Sequence, residues 1–171
     1  SVTTVDITSA NDSFVVLENS GSSLATINIS GSGALGLIGS LANSITTIDA
    51  NSSSTNLTLT TGTAGTTVTG GSGNDSITLS GGTNNVTSSD GDDTINLGSG
   101  NDTVNTGSGD DNVVASAGTN NITTGSNNDQ VTISGGSNTV NTGNNNDIVN
   151  ISIGNNNINS GSGNDQITVS G

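Results

Sequence analysis

From Gly70 to Thr168 the chain repeats a nine-residue unit eleven times, and the eighth position of every unit is Val or Ile. Those residues are Ile77, Val86, Ile95, Val104, Val113, Ile122, Val131, Val140, Val149, Ile158 and Ile167. A unit this short buries its apolar side chain only by stacking on its neighbours, so the fixed period predicts an all-β solenoid. Within each unit, five or six Gly, Ser, Asn and Asp residues form a turn, and three or four residues of alternating polarity form a strand. The fourth position is Gly in nine units and Asn (Asn127, Asn145) in two. Both residues accept a left-handed backbone at low cost, so the same position specifies the turn each time.

Two units make a coil of 18 residues with a strand on each side. The sixth position tells the two sides apart: it reads Asp75, Asp93, Asp111, Asp129, Asp147 and Asp165 on one, and Asn84, Asp102, Asn120, Asn138 and Asn156 on the other. Two residues past the Val/Ile position, the strands after the Asp turns carry Leu79, Leu97, Ala115, Ile133, Ile151 and Val169. The other strands carry Ser88, Thr106, Thr124, Thr142 and Ser160 there. One sheet is therefore expected to point two apolar residues inward per coil and the other sheet one, a thin core.

Low hydrophobicity with a net charge of -14 ordinarily indicates disorder, but a phase held through eleven units overrides that expectation. The chain has no Lys, Arg or His, so it lacks the basic footprint that nucleic acid or anionic lipid requires. It has no Cys, so no disulfide staples the small core. No apolar run reaches membrane-spanning length and no signal peptide is visible, so membrane insertion is not expected. Opening and closing in mid-pattern, the sequence reads as an excerpt of a longer protein.

Parallel strands lie ~4.8 Å apart, so Asp75 is expected to stack on Asp93 and so on to Asp165. Unneutralised, neighbouring carboxylates repel by about 1 kcal/mol in a water-like dielectric and by several-fold more when partly buried. A cation resolves this. Carboxylates and carbonyls in Gly-rich turns are hard oxygen ligands suited to calcium, whereas zinc and copper want the His or Cys that the chain lacks. The alternative is an acidic, metal-free ladder. Asp90, Asp92 and Asp110 add further acid, either to bridge subunits or as solvated turns. On the other side, stacked amides can bond from rung to rung without metal; Asp102 there either holds an ion with weak partners or is solvated.

Gly70–Thr78 (GGSGNDSIT) resembles the glycine- and aspartate-rich nonapeptide of RTX proteins, G-G-x-G-x-D-x-U-x, and the resemblance covers 99 of the 171 residues. It implies a right-handed parallel β-roll with several Ca²⁺ ions between turns. Carried onto this sequence, it implies carboxylate ligands from Asp75, Asp93, Asp111, Asp129, Asp147 and Asp165. It further implies carbonyl ligands from the first, third and fifth turn positions: Gly70, Ser72 and Asn74; Ser88, Asp90 and Asp92; Thr106, Ser108 and Asp110; Thr124, Ser126 and Asn128; Thr142, Asn144 and Asn146; and Ser160, Ser162 and Asn164. The Asn side departs from the family pattern. RTX proteins are typically exported by type I secretion through a C-terminal signal and fold on meeting millimolar calcium outside the cell.

Residues 1–69 lack the calcium motif, yet apolar clusters recur about every ten residues, from Thr4-Val5-Asp6-Ile7 to Thr66-Thr67-Val68. They read as looser, irregular solenoid coils continuous with the β-roll of residues 70–171. The run Ile45–Leu79 resembles segments of bacterial surface-layer proteins that carry RTX repeats. That resemblance implies an extracellular, cell-surface protein that self-associates in a lattice, with a polysaccharide anchor outside this sequence. The alternatives are a stalk segment of a large RTX adhesin and an ice-binding solenoid. The outward strand pairs Ser76/Thr78, Thr94/Asn96 and Asn112/Val114 already differ from coil to coil, unlike a good ice surface. No catalytic constellation stands out: triads lack a His, and in the pairs Asp92-Asp93 and Asp110-Asp111 one member is expected in the ladder and the other facing out.

Overall fold

The computed structural model describes residues 2–17 and 23–171; parts of the first irregular segment, residues 1 and 18–22, lie outside them. Eighteen strands, numbered along the chain, alternate strictly between two parallel nine-stranded sheets. The first sheet contains β1 (Thr4–Ser9), β3 (Thr26–Gly31), β5 (Thr47–Ser53), β7 (Thr67–Thr69), β9 (Asn85–Asp90), β11 (Thr103–Ser108), β13 (Asn121–Ser126), β15 (Thr139–Gly143) and β17 (Asn157–Asn159). The second contains β2 (Ser13–Val16), β4 (Leu35–Ser40), β6 (Leu57–Thr60), β8 (Ser76–Thr78), β10 (Thr94–Leu97), β12 (Asn112–Ala115), β14 (Gln130–Ile133), β16 (Ile148–Ile151) and β18 (Gln166–Val169). This is a β-solenoid, and no helix among the described residues is long and apolar enough to cross a membrane.

The register shows why the repeat has its period. Ile95 pairs with Ile77 and Val113, and Val104 with Val86 and Ile122, so each Val/Ile sits on its equivalent one coil away. Upstream the coils are longer. Thr4 pairs with Thr26, Thr26 with Thr47, and Thr47 with Thr67, and a bulge in the β3–β5 pairing absorbs part of the change. The 18-residue spacing reaches back past Gly70: Leu59 pairs with Ile77 and Val68 with Val86.

Side chains alternate across the pleat, and the burial follows the expected asymmetry. In the second sheet both Ile95 and Leu97, Val113 and Ala115, and Val131 and Ile133 are buried. In the first, Val104, Ile122 and Val140 are buried beside the hydroxyls of Thr106, Thr124 and Thr142. Each hydroxyl donates to the carbonyl of the equivalent residue one coil on, at 3.1 Å to Thr124 O, 3.1 Å to Thr142 O and 3.2 Å to Ser160 O. A buried Thr is tolerated here because its polar atom is satisfied along the axis. Outward, on either side of each Val or Ile, the first sheet presents Thr or Asn from Thr67 through Asn85, Thr87, Thr103, Asn105, Asn121, Thr123, Thr139 and Asn141 to Asn159.

Candidate metal centre

The turns from first sheet to second sheet form one edge of the solenoid, and all six sequence-predicted carboxylates lie along it. From Gly82 onward the fourth position has positive φ in every unit, including Asn127 (φ 83) and Asn145 (φ 76). A left-handed residue turns the chain sharply enough for the sixth to point back into the edge. Asp75, Asp93, Asp111, Asp129 and Asp147 are only 1–2% exposed, and Asp165, on the last coil, is half-buried.

Each carboxylate is tied to the preceding coil through one oxygen. The Leu57 N–H donates to Asp75 Oδ1 at 2.8 Å, the Asp75 N–H to Asp93 at 2.7 Å, and the Asp93 N–H to Asp111 at 2.8 Å. The series continues from Asp111 to Asp129, from Asp129 to Asp147 and from Asp147 to Asp165. The other oxygen is left over. Oδ2 of Asp93, Asp111, Asp129 and Asp147 is buried with no hydrogen-bond partner. A buried carboxylate oxygen without donor or cation is costly. Burial accordingly pushes Asp93 and Asp129 up to about 7 and Asp75 up to about 6, and it raises Asp111 as well. The neighbouring hydroxyls of Ser88, Thr106 and Thr124 pull the other way. Each has a single proton, however, and a carbonyl of the next coil to give it to.

Turn carbonyls run along the same edge. First-position carbonyls of Thr106, Thr124, Thr142 and Ser160 accept the axial hydroxyl bonds. At the third position, Ser108 and Ser126 each accept one backbone bond, from Gly91 at 2.8 Å and Gly109 at 3.3 Å, which leaves a second lone pair. Fifth-position carbonyls accept no hydrogen bond among the described residues. No three acidic side chains converge among the described residues. An ion held here would therefore draw much of its shell from backbone oxygen, which calcium accepts at coordination numbers of about 6–8.

Two features of this edge were not anticipated. The second position of the acidic turns is also left-handed, at Ser89 (φ 88), Gly107 (φ 103), Gly125 (φ 110), Gly143 (φ 99) and Gly161 (φ 78); a Cβ on Gly107 would strike the Ser89 carbonyl. The signal was present as Gly in five of the six acidic units (Gly71, Gly107, Gly125, Gly143, Gly161). The fifth position forms a second, exposed ladder running the opposite way. Asn74 Oδ1 accepts the Asp92 N–H at 2.9 Å, Asp92 accepts Asp110 at 2.9 Å, Asp110 accepts Asn128 at 2.9 Å, and Asn128 accepts Asn146 at 3.0 Å. Asp92 and Asp110 thus face out, as expected, while also serving as rungs; Asp90 accepts the Ser108 hydroxyl at 2.6 Å. The constant Asn or Asp at that position was the available signal.

The opposite edge carries the amide ladder. Asn120 Nδ2 donates to Asn138 Oδ1 at 2.9 Å and to the Ala117 carbonyl at 2.9 Å. Asn138 does the same to Asn156 at 2.9 Å and to Gly135 at 3.0 Å. Asp102 lies within this row, 1% exposed, accepting the Asn84 side chain at 2.8 Å through Oδ1; its own Oδ2 is buried and unpartnered.

Fold and edge together define a class: a parallel β-solenoid whose every second turn buries a carboxylate in want of a positive charge. A family model described as RTX calcium-binding nonapeptide repeat (4 copies) matches residues 61–95, 78–113, 97–131, 105–140 and 132–167. These matches take in well over half of the 171 residues, and the chain belongs to the RTX calcium-binding nonapeptide-repeat family. Its cofactor is Ca²⁺, with several repeats to hold it. No curated protein and no solved structure matches the chain. The family match begins at Thr61, nine residues before Gly70, in a unit with Thr66 in place of an acid at the sixth position.

Proposed function

We propose that this chain is a structural segment of a secreted bacterial surface-layer protein, in which calcium stiffens the solenoid and promotes assembly between identical subunits. In this reading Asp75, Asp93, Asp111, Asp129, Asp147 and Asp165 supply carboxylate ligands, and the turn carbonyls complete each shell. The observation that supports assembly is the distribution of charge. In the roll, the exposed acids Asp90, Asp92 and Asp110 all lie on the acidic edge, Asp90 at the very end of β9, and the outward strand positions on either side of each Val or Ile between Ser76 and Thr168 carry no ionisable residue. Rods can then meet through flat neutral faces, while calcium removes the repulsion between acidic edges.

Electron microscopy of the intact parent protein tests this, with the protein purified in chelator and then dialysed into millimolar calcium. Ordered two-dimensional sheets that dissolve again in chelator are expected. Separate stiff rods would overturn the surface-layer reading in favour of an adhesin stalk. A second reading, ice binding, rests on the uniform Thr/Asn face of the first sheet; a lack of thermal hysteresis in the calcium-loaded protein disposes of it.

A further inference from the structure

The two edges share the left-handed fourth position and the same side-chain length at the sixth, so they form an internal comparison of what the sixth position needs. On the amide edge the second polar atom is Nδ2. It donates back to the carbonyl three residues earlier, from Asn84 to Gly81 at 3.1 Å, from Asn120 to Ala117 at 2.9 Å and from Asn138 to Gly135 at 3.0 Å. It also donates forward to the next rung. On the acidic edge the second atom is Oδ2, which can only accept, and in Asp93, Asp111, Asp129 and Asp147 it is buried with nothing donating to it. A positive hydrogen on one edge thus occupies the place where the other edge lacks any positive charge.

We infer that the Asn residues replace metal ions with their own Nδ2 donors, so that this roll takes up calcium in a row along one edge only. The amide edge closes without metal, and Asp102 is the one point on it that calls for an ion, because its Oδ2 breaks the donor series. The identity of the sixth residue decides whether a turn is a calcium site. This inference rests on the calcium row of the proposed function but is independent of whether the protein forms a lattice.

The test is the number of calcium ions bound at saturation, measured by equilibrium dialysis of the metal-stripped 171-residue chain and two variants. N120D/N138D places carboxylates where Nδ2 now donates to Ala117 and Gly135. It is expected to bind more ions than the parent and to need more calcium to fold, followed by circular dichroism. An unchanged count would overturn the inference, because the edge would then already be occupied or be unable to bind. D102N restores the donor series toward Asn120 and Ser99, and it covers the case in which the double variant does not fold. It is expected to lose one ion and to resist urea better in chelator; lower stability in chelator would overturn the inference. If the parent bound no calcium at all, the calcium row itself would fail, an outcome that the dialysis separates from the other two.

Discussion

At the residue scale, one atom changes the chemistry of a whole edge. Asp and Asn at the sixth position both accept a backbone N–H from the preceding coil through Oδ1, and they differ in whether the second atom brings a hydrogen. The burial that raises Asp93 and Asp129 to about 7 and Asp75 to about 6 has a defined sign. Between about pH 4, where an unfolded Asp ionises, and about pH 7, the metal-free folded chain holds protons that the unfolded chain has released. The contribution is therefore complete below about pH 4 and is lost as pH rises through the folded values. Urea midpoints of metal-stripped protein are expected to fall from about pH 5 to about pH 7.5, and saturating calcium is expected to flatten that slope by taking the proton's place. The carboxylate row was legible in the sequence because Asp recurs at one fixed phase of the 18-residue coil, which sets each on its equivalent in the next coil. The fifth-position ladder was not, because Asn74, Asn128 and Asn146 read as ordinary turn residues until the coil-to-coil distance brings a backbone N–H to each.

At the scale of the turn and strand, the acidic edge is tighter than the amide edge. Two left-handed residues in each acidic turn after the first let β11, β13 and β15 continue through their second position, so carbonyls stack along the axis with no room for a side chain. Gly107→Ala is expected to destabilise the calcium-loaded protein by about 1–3 kcal/mol through strain at positive φ, aggravated by contact with the Ser89 carbonyl. The check is a shift in the urea midpoint. Ser89 itself shows that the conformation is tolerated where the coil below offers Gly71, which is not left-handed. The sequence disclosed the fourth-position rule because only Gly and Asn occur there. At the second position the rule was diluted by Ser in the turns of the other edge, Ser80, Ser116, Ser134 and Ser152, which need no positive φ.

Across the whole molecule, the source of stability changes from end to end. The upstream coils are filled with Ile27, Ile29, Leu35, Leu37, Ile48, Leu57 and Leu59, all buried, and among the described residues they have no carboxylate ladder. The roll offers smaller groups, such as Val113, Ala115 and Val149, and leans on its edge chemistry. Amide hydrogen exchange in chelator is expected to leave residues 26–60 protected while residues 88–151 exchange; uniform loss would show that the upstream coils also depend on the ion. The coil length of the roll was readable from its strict period, whereas the longer upstream coils, such as Thr4 to Thr26, were not, since their turns keep no constant residue to count from. The opposed ladders on the acidic edge carry a last consequence. Every coil of the roll is fastened to the one before it by its sixth residue and to the one after it by its fifth, with a partner at the equivalent position at each step. Excising the 18 residues from Asn112 to Asp129 rejoins every rung with an equivalent one and shortens the rod by ~4.8 Å. Excising nine moves each downstream acid to the amide flank. The molecule is a ruler graduated in whole coils, and its length can be edited only in those divisions.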